Sequence, residues 1–243
     1  MTATAVLFWD IDGTLLSTDR AGIYAIEAAA REVCGGEADL QSLPTAGLTD
    51  AQIAVVVIES LGGTADAPGV DAFLRVYERE LPAALPRRTG RVLPGVLEIL
   101  DDLAGETGVH NLLLTGNTRA GAAAKLRHYG LDGHLSDGAF CVGAGPRADI
   151  AREAWALIAA RDAGARLERA YVIGDTPHDV RCGQEIGART IAVATGGYGL
   201  ADLQACAPWA AIERLPDPRG FRELVGLPAA RRQPRPGAAR LPS

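Results

Sequence analysis

Lysine is nearly absent from this chain: among its 24 basic residues only Lys125 is a lysine, and the others are arginines. The basic residues are also outnumbered by 30 acidic ones, which gives a net charge of −6. Proteins that bind nucleic acid usually concentrate positive charge on one surface. The composition therefore predicts no nucleic-acid partner.

Cysteines and long apolar runs are also scarce. The four cysteines lie far apart, with no Cys-x-x-Cys pair, which excludes a disulfide framework or a zinc site and predicts buried thiols in a reducing compartment. No apolar run reaches the roughly 18 residues that span a bilayer. The run at 3–9 is too short, and lacks the basic start, for a signal peptide. We therefore expect a cytoplasmic protein with no membrane partner.

Four short apolar runs, each ending in polar residues, predict the strands of a parallel sheet. They are Ala5–Trp9, Asn111–Leu114, Ala170–Ile173 and Thr190–Val193. The later runs alternate with helical patterns at Pro94–Gly105, Thr118–Gly130, Ala148–Asp162 and Pro177–Ile186. This alternation predicts an α/β fold with a doubly wound, Rossmann-like parallel sheet. Ligands of such sheets bind at the carboxyl ends of the strands.

Residues 18–90 interrupt the alternation, because they contain three helical stretches and no convincing strand. We predict that they form a small all-helical cap domain inserted after the first strand. Residues 1–17 and 91–228 then form the α/β core. Residues 229–243 are rich in arginine and proline, a composition typical of a flexible tail.

Two acidic pairs follow buried strands. Asp10 and Asp12 end the first strand, where Gly13 gives the chain freedom to curl. Asp175 and Asp179 have the i, i+4 spacing that places both carboxylates at one helix start. Four acids at adjacent strand ends would repel one another without a cation. Because the candidate ligands are all oxygen atoms, the pattern favours Mg²⁺ over zinc.

A third strand ends in Thr115, Gly116 and Asn117, just before a helix. This tripeptide offers a hydroxyl group and backbone amides to an anion at a helix N-terminus. Each of these motifs alone is weak, since aspartate is common in turns and at helix starts. Their combination favours a functional site.

Three segments, VLFWDIDGTLL, LLLTGN and YVIGDTPHD, occur in this order. They closely resemble the first, second and fourth signature motifs of the haloacid dehalogenase superfamily. The helical insertion after the first strand resembles that superfamily's cap. Within the superfamily the chain is most similar to phosphoglycolate-phosphatase-like hydrolases.

The resemblance implies a role for each acid. Asp10 would be the nucleophile that forms an aspartyl-phosphate, and Asp12 would protonate the leaving oxygen and then activate water. Mg²⁺ would be held by the Asp10 carboxylate, the Asp12 backbone carbonyl and Asp175, with Asp179 as a direct or indirect ligand. The expected activity is Mg²⁺-dependent hydrolysis of small phosphomonoesters.

The resemblance also implies how the phosphoryl group would be held. Thr115 and the backbone amides of Gly116 and Asn117 would contact its oxygens. The third family motif is normally a lysine or arginine that neutralises the phosphate. By position Arg147 is the candidate, whereas Lys125 lies ten residues past Thr115 and is expected at the surface.

Single residues argue against several alternative functions. Dehalogenation is disfavoured because halide leaves without a proton, whereas Asp12 stands where the general acid of a phosphatase stands. A phosphonoacetaldehyde hydrolase needs a cap lysine, and the cap has none. A receiver domain is disfavoured because such domains are about half as long as this chain. A β-phosphoglucomutase-like phosphotransferase stays open, as does, more distantly, a non-catalytic phosphate-binding protein on the same fold.

Partners and specificity are less visible in the sequence. The expected partner is a small phosphorylated metabolite, and the expected assembly is a monomer or weak dimer. Asp19, Arg20, Thr49 and Asp50 are candidates to reach the site from the cap or its hinge.

Overall fold

The structure is a computed structural model that describes residues 4–40 and 47–229. The tail predicted for 229–243 therefore lies outside the described residues except for its first residue. None of the helices in the described ranges is long and apolar enough to cross a membrane.

The described part of the chain alternates strands and helices after the cap. Its strands are β1 (Ala5–Trp9), β2 (Leu16–Ser17), β3 (Arg91–Val92), β4 (Val109–Leu114), β5 (Gly138–Ala139), β6 (Ala170–Gly174), β7 (Arg189–Val193) and β8 (Ala210–Ile212). Its α-helices are α1 (Gly22–Ala29), α2 (Asp50–Ser60), α3 (Ala67–Ala84), α4 (Val96–Leu103), α5 (Arg119–His128), α6 (Arg147–Arg161), α7 (Pro177–Ile186), α8 (Leu200–Gln204) and α9 (Pro218–Leu224).

Six strands form one sheet in the order β5-β4-β1-β6-β7-β8, and every pairing in it is parallel. β1 lies between β4 and β6, with Trp9 aligned to Leu113 on one side and Ile173 on the other. The predicted fold class is therefore confirmed. This order places the ends of β1, β4 and β6 side by side.

The apolar run of β1 is continuous because both faces of the sheet are covered. Val6 and Phe8 belong to the core cluster that continues into the cap, whereas Leu7 and Trp9 belong to the cluster on the opposite face. All of these side chains are fully buried. Alternate residues of a strand point to opposite faces, so burial on both sides requires apolar residues throughout.

Four strands were not predicted from the sequence. β5 has only two residues and β8 three, so neither shows a periodic pattern. β2 and β3 are two-residue strands that pair antiparallel, Leu16 with Val92 and Ser17 with Arg91. This pair joins the two points where the chain enters and leaves the helical insertion.

The insertion contains α1, α2 and α3, and α1 continues into a π-helical turn at Ala30–Cys34. Thr49 begins α2 through a capping box: its hydroxyl accepts from the Gln52 amide, and the Gln52 side chain accepts from the Thr49 amide. Phe73, Tyr77 and Leu81 lie on the buried face of α3, as their one-turn spacing predicts. The exact domain boundaries, 18 and 90, stay a prediction.

The cysteines are all free. Cys141 and Cys182 are buried as predicted, but Cys34 and Cys206 are only half-buried. The prediction of four buried thiols was therefore correct for two of them.

Candidate active site

The site lies at the carboxyl ends of β1, β4 and β6. Asp10 follows β1, Thr115 follows β4, and Asp175 follows β6. All three side chains are buried. Neighbouring parallel strands thus bring together residues that are more than 160 positions apart in the sequence, as the motif order predicted.

Asp10, Asp175 and Asp179 form a buried acidic cluster. One carboxylate oxygen from each lies within 4.8 Å of the other two. Burial, and then repulsion from Asp179, raises the pKa of Asp10 to about 7. Burial, and then repulsion from Asp10, raises the pKa of Asp175 to about 8. Because the pKa of Asp10 stays raised although Arg147 lowers it, the cluster resists full ionisation unless a further cation joins it.

Arg147 is the cation that contacts this cluster. Its Nη2 donates to Asp10 Oδ1 at 3.1 Å and to Asp179 Oδ1 at 2.5 Å. It is the first residue of α6 and follows Pro146, which fixes the direction in which the helix begins. The side chain is only 9% exposed, and among residues 4–40 and 47–229 its Nε has no hydrogen-bond partner. Its position is the one that the third-motif prediction requires.

Asp179 is held from two sides. Its Oδ2 accepts from the hydroxyl and the backbone amide of Thr176 at 2.7 and 3.0 Å, which closes a capping box at the start of α7. Its Oδ1 is the oxygen that binds Arg147. Both carboxylate oxygens of Asp179 thus accept hydrogen bonds, and its part in binding a metal, direct or indirect, stays a prediction.

Asp12 points away from the acidic cluster, toward β4 and α5. Its Oδ2 accepts from Asn117 Nδ2 at 2.9 Å and from Lys125 Nζ at 2.5 Å. Its side chain is 42% exposed, in contrast to the buried Asp10. The two acids of the first motif therefore face different partners.

The prediction that Lys125 lies at the surface is wrong. The residue is only 6% exposed, and its ammonium also donates to Asn117 Oδ1 at 2.5 Å. Helical side chains lean toward the helix N-terminus. Lys125 stands on the buried face of α5 with Gly121 and Ala122, so its long stem runs back toward the loop that follows β4. The spacing of Lys125 from Thr115 in the sequence does not show how far this side chain extends.

The loop after β4 is held by internal hydrogen bonds. Thr115 Oγ1 accepts from Asn117 Nδ2 at 2.8 Å and from the Asn117 backbone amide at 3.3 Å. The Asn117 amide, predicted to bind phosphate, is therefore directed at Thr115 in this structure. The Asn117 side chain links Thr115 to Asp12, and the contact of Asn117 with a phosphoryl group stays a prediction.

Two glycines permit the backbone to approach Asp175. A Cβ atom on Gly13, whose φ is +82°, or on Gly196 would overlap the Asp175 carboxylate. Gly13 is further fixed by Thr195, whose hydroxyl donates to its carbonyl oxygen at 2.6 Å. Gly116 is less constrained, because its Cβ would lie 2.8 Å from the flexible end of Arg147, at Nη1, and 3.1 Å from the Thr49 Cα atom.

A cavity of about 600 Å³ lies between these strand ends and the cap. The cap side is largely apolar, with Ile23, Ile26 and Ile53 among its lining residues. Of the hinge and cap residues singled out in the sequence, Arg20 and Asp50 line the cavity. Asp19 is exposed and Thr49 is buried as the helix cap, and neither lines it.

Asp50 connects the cap to the core. Its backbone amide donates to the Gly116 carbonyl oxygen at 2.8 Å, and its Oδ2 accepts from the Thr118 amide at 2.7 Å. Burial raises its pKa to about 6, against the opposing effect of Lys125. Burial, and then the neighbouring Asp50 carboxylate, raises the pKa of Tyr77 well above its usual value. No sequence pattern predicted this neighbour, which the packing of α3 against α2 brings close to Asp50.

The donor set of the acidic cluster fits a hard divalent cation. It consists of buried carboxylate oxygens, with no histidine or cysteine in the group. Oxygen-only ligands are typical of Mg²⁺. Charge neutralisation by such an ion would also relieve the repulsion that, in addition to burial, raises the pKa values of Asp10 and Asp175.

Comparison with known proteins agrees with this geometry. A model of the haloacid dehalogenase-like hydrolase family matches residues 7–184, a range that contains Asp10, Asp12, Thr115, Arg147, Asp175 and Asp179. The chain therefore belongs to the haloacid dehalogenase-like hydrolase family, and it is a hydrolase of that family.

Individual relatives are more distant. The chain is 28% identical over 228 residues to "Probable phosphatase IndB" of Dickeya dadantii (strain 3937), covering 91% of this chain and 92% of that protein. It shares its fold, at a TM-score of 0.68 and 16% identity, with a predicted phosphatase from Clostridium acetobutylicum, covering 93% of this chain and all of the other.

Two further structures share the fold. One is a predicted phosphoglycolate phosphatase from Haemophilus somnus 129pt, with a TM-score of 0.66 and 16% identity over 92% of this chain and 98% of the other. The second is a protein from Bacteroides vulgatus provisionally named a β-phosphoglucomutase. Its TM-score is 0.63 at 21% identity over 92% of this chain and 89% of the other.

Proposed function

We propose that the protein is a Mg²⁺-dependent phosphatase that hydrolyses small phosphomonoesters through an aspartyl-phosphate on Asp10. The observation that carries this proposal is the separation of the two first-motif acids. Asp10 faces Arg147 and the acidic cluster, and Asp12 faces Asn117 and Lys125, while both line one cavity. A nucleophile and an acid–base group are thus held at one site in different surroundings.

In the first step the Asp10 carboxylate attacks phosphorus. The ester P–O bond breaks, its electron pair stays on the leaving oxygen, and Asp12 donates a proton to that oxygen. In the second step Asp12 takes a proton from water, which attacks phosphorus and releases inorganic phosphate and free Asp10. Arg147 stabilises the phosphoryl charge beside Asp10 in both steps.

The Asp10 and Asp175 carboxylates and the Asp12 backbone carbonyl would hold Mg²⁺, with Asp179 fixing the arrangement through Arg147 and Thr176. The ion would supply positive charge that offsets the repulsion between the Asp10 carboxylate and an incoming phosphate.

The substrate is proposed at the level of a class. Phosphoglycolate is the first compound to test, because a relative of the same fold carries that name. Sugar phosphates and nucleotides follow, since the cavity of about 600 Å³ is large enough for a bigger substrate body. We also propose a cytoplasmic enzyme that acts as a monomer or weak dimer on a small phosphorylated metabolite.

A β-phosphoglucomutase-like phosphotransferase is the second candidate. The likeness to the Bacteroides vulgatus protein supports the shared fold, and both reactions use the same aspartyl-phosphate. The two differ in what accepts the phosphoryl group, which is water in a phosphatase and a sugar hydroxyl in a mutase. Isomerised sugar phosphate without stoichiometric phosphate release would favour the mutase.

The test is a phosphate-release assay over a panel of phosphomonoesters. We expect turnover with Mg²⁺, none with a chelator, and inhibition by excess Ca²⁺, which accepts more ligands at longer distances. Asp10→Asn should abolish turnover, whereas Asp71→Asn, an exposed change on α3, should not. Full activity in chelator, or a tenth or more of it in Asp10→Asn (roughly 1.4 kcal/mol or less in barrier), would refute the proposal.

A further inference from the structure

The single lysine of the chain is buried where it contacts the proposed general acid. Lys125 Nζ lies 2.5 Å from Asp12 Oδ2 and 2.5 Å from Asn117 Oδ1. It contacts neither Asp10 nor Arg147 in the described structure, so it is separate from the cation of the third motif. Burying an ammonium is costly unless it is paired, and here both of its partners belong to the active site.

We propose that Lys125 is a positioning residue that fixes the Asp12 carboxyl group for proton transfer to the leaving oxygen. This inference depends on the proposed function, because it assigns a role within that reaction. Lys125 acts through Asp12 and is not expected to contact the phosphoryl group.

The hydrogen bonds of Asn117 explain how one ammonium orders the site. Because Lys125 donates to Asn117 Oδ1, the amide must turn its Nδ2 toward Asp12 and Thr115. The opposite amide orientation would place two donors face to face. Lys125 therefore sets the orientation of both Asp12 and the side chain that links Asp12 to Thr115.

A lysine suits this position better than the arginine that the chain uses elsewhere. An ammonium is a compact charge with three donors, whereas guanidinium is a wide planar fork. Two acceptor oxygens at 2.5 Å from one nitrogen match the ammonium. Arginine at 125 would restore charge but would have to displace Asp12 or Asn117.

The first step offers a comparison of substrates that a purely structural role of Lys125 would leave unchanged. When the ester P–O bond breaks, a basic alkoxide needs the proton of Asp12, whereas p-nitrophenolate is stable enough to leave without it. Misplacing Asp12 should therefore slow alkyl phosphates far more than p-nitrophenyl phosphate. Loss of fold or of Arg147 would slow both.

The experiment measures kcat/KM, which reports the phosphorylation step, for p-nitrophenyl phosphate, phenyl phosphate and an alkyl phosphate with Mg²⁺. In Lys125→Met we expect a loss of about a hundredfold for the alkyl phosphate, the scale of general acid catalysis, and a small loss for p-nitrophenyl phosphate. Lys125→Arg should recover part of the alkyl activity. Arg127→Met, which removes an exposed cation from the same helix, is the matched control and should behave as wild type.

An equal loss for all three substrates in Lys125→Met, with a wild-type circular dichroism spectrum, would overturn the inference. If Lys125→Met does not fold, the substrate series is measured on Lys125→Arg, where unchanged relative rates would overturn it. Asp12→Asn separates this failure from failure of the proposed function. If Asp12→Asn also slows all substrates equally, Asp12 is not the general acid.

Discussion

The Asp50 carboxylate on the cap accepts a hydrogen bond from the backbone amide of Thr118 at the start of α5, at 2.7 Å. Thr118 is the N-cap of α5, and its hydroxyl in turn accepts from the Gly121 amide at 3.1 Å. A carboxylate beside a helix N-terminus is also stabilised by the helix dipole. This contact ties the cap to the loop proposed to bind phosphate.

Asp50→Ala is expected to weaken both the protein and its activity. It leaves the amide of the buried Thr118 without its acceptor, which typically costs about 1–3 kcal/mol, and it removes the side-chain contact between the cap and the start of α5. We expect a lower melting temperature and a higher KM, measured by thermal unfolding and steady-state kinetics. Asp71→Ala, an exposed acid on the same domain, is the control. Equal values for both variants would show that the contact does not hold the cap.

Arg147→Ala should reduce kcat/KM by about a hundredfold or more, which corresponds to about 2.7 kcal/mol of transition-state stabilisation. The reason is that Arg147 is the cation bonded to both Asp10 and Asp179. Arg147→Lys should recover part of the loss, since charge returns without the planar fork.

Arg152→Ala is the matched control for Arg147. Arg152 lies one and a half turns further along α6, and its exposed side chain pairs with Asp149 and Glu185 at the surface. It should leave kcat/KM unchanged. A similar loss in both variants, or activity in Arg147→Ala within threefold of wild type (about 0.65 kcal/mol), would remove Arg147 from the mechanism.

The stability of the metal-free protein should fall as the pH rises from about 5.5 to about 8.5. Burial raises the pKa of Asp10 to about 7 and that of Asp175 to about 8, against 3.8 for both in the unfolded chain. The folded state therefore keeps protons that the unfolded state has lost. Its stabilisation is complete below the unfolded value and is lost as the pH rises through the folded values.

Thermal unfolding in chelator and in Mg²⁺ checks this pH dependence. Mg²⁺ should raise the melting temperature more at about pH 8.5 than at about 5.5, because it binds the ionised carboxylates. Asp175→Asn should reduce the fall with pH in chelator, since it removes the acid with the most strongly raised pKa of those that contribute to it. A melting temperature in chelator that rises over this range would contradict the account.

Much of the fold could be predicted because its central elements carry strong local patterns. β1 is apolar throughout since both sheet faces cover it, and α7 was predicted with its bounds, Pro177–Ile186, because Pro177 and the following periodic residues mark its start. β5 and β8 were missed because two or three residues show no period. Their pairing depends on strands that are distant in sequence.

Part of the site could also be predicted from local sequence patterns. Acids at strand ends meet because parallel strands share an edge, so Asp10 and Asp175 could be placed together. The position of Lys125 could not be predicted, because it depends on which face of α5 packs inward and on the reach of a long side chain. The contacts of Asp50 likewise arise only when α2 of the cap lies against the Gly116 loop.

The central claim, a phosphoryl group carried on Asp10, is tested most directly by trapping it. The enzyme is mixed with p-nitrophenyl phosphate and Mg²⁺, quenched in acid within the first turnovers, digested and examined by mass spectrometry. We predict one added phosphoryl group on the peptide that contains Asp10, and its absence from Asp10→Asn treated in the same way. Turnover by wild-type protein with no phosphoryl group on that peptide, or with the group on another residue, would contradict the mechanism.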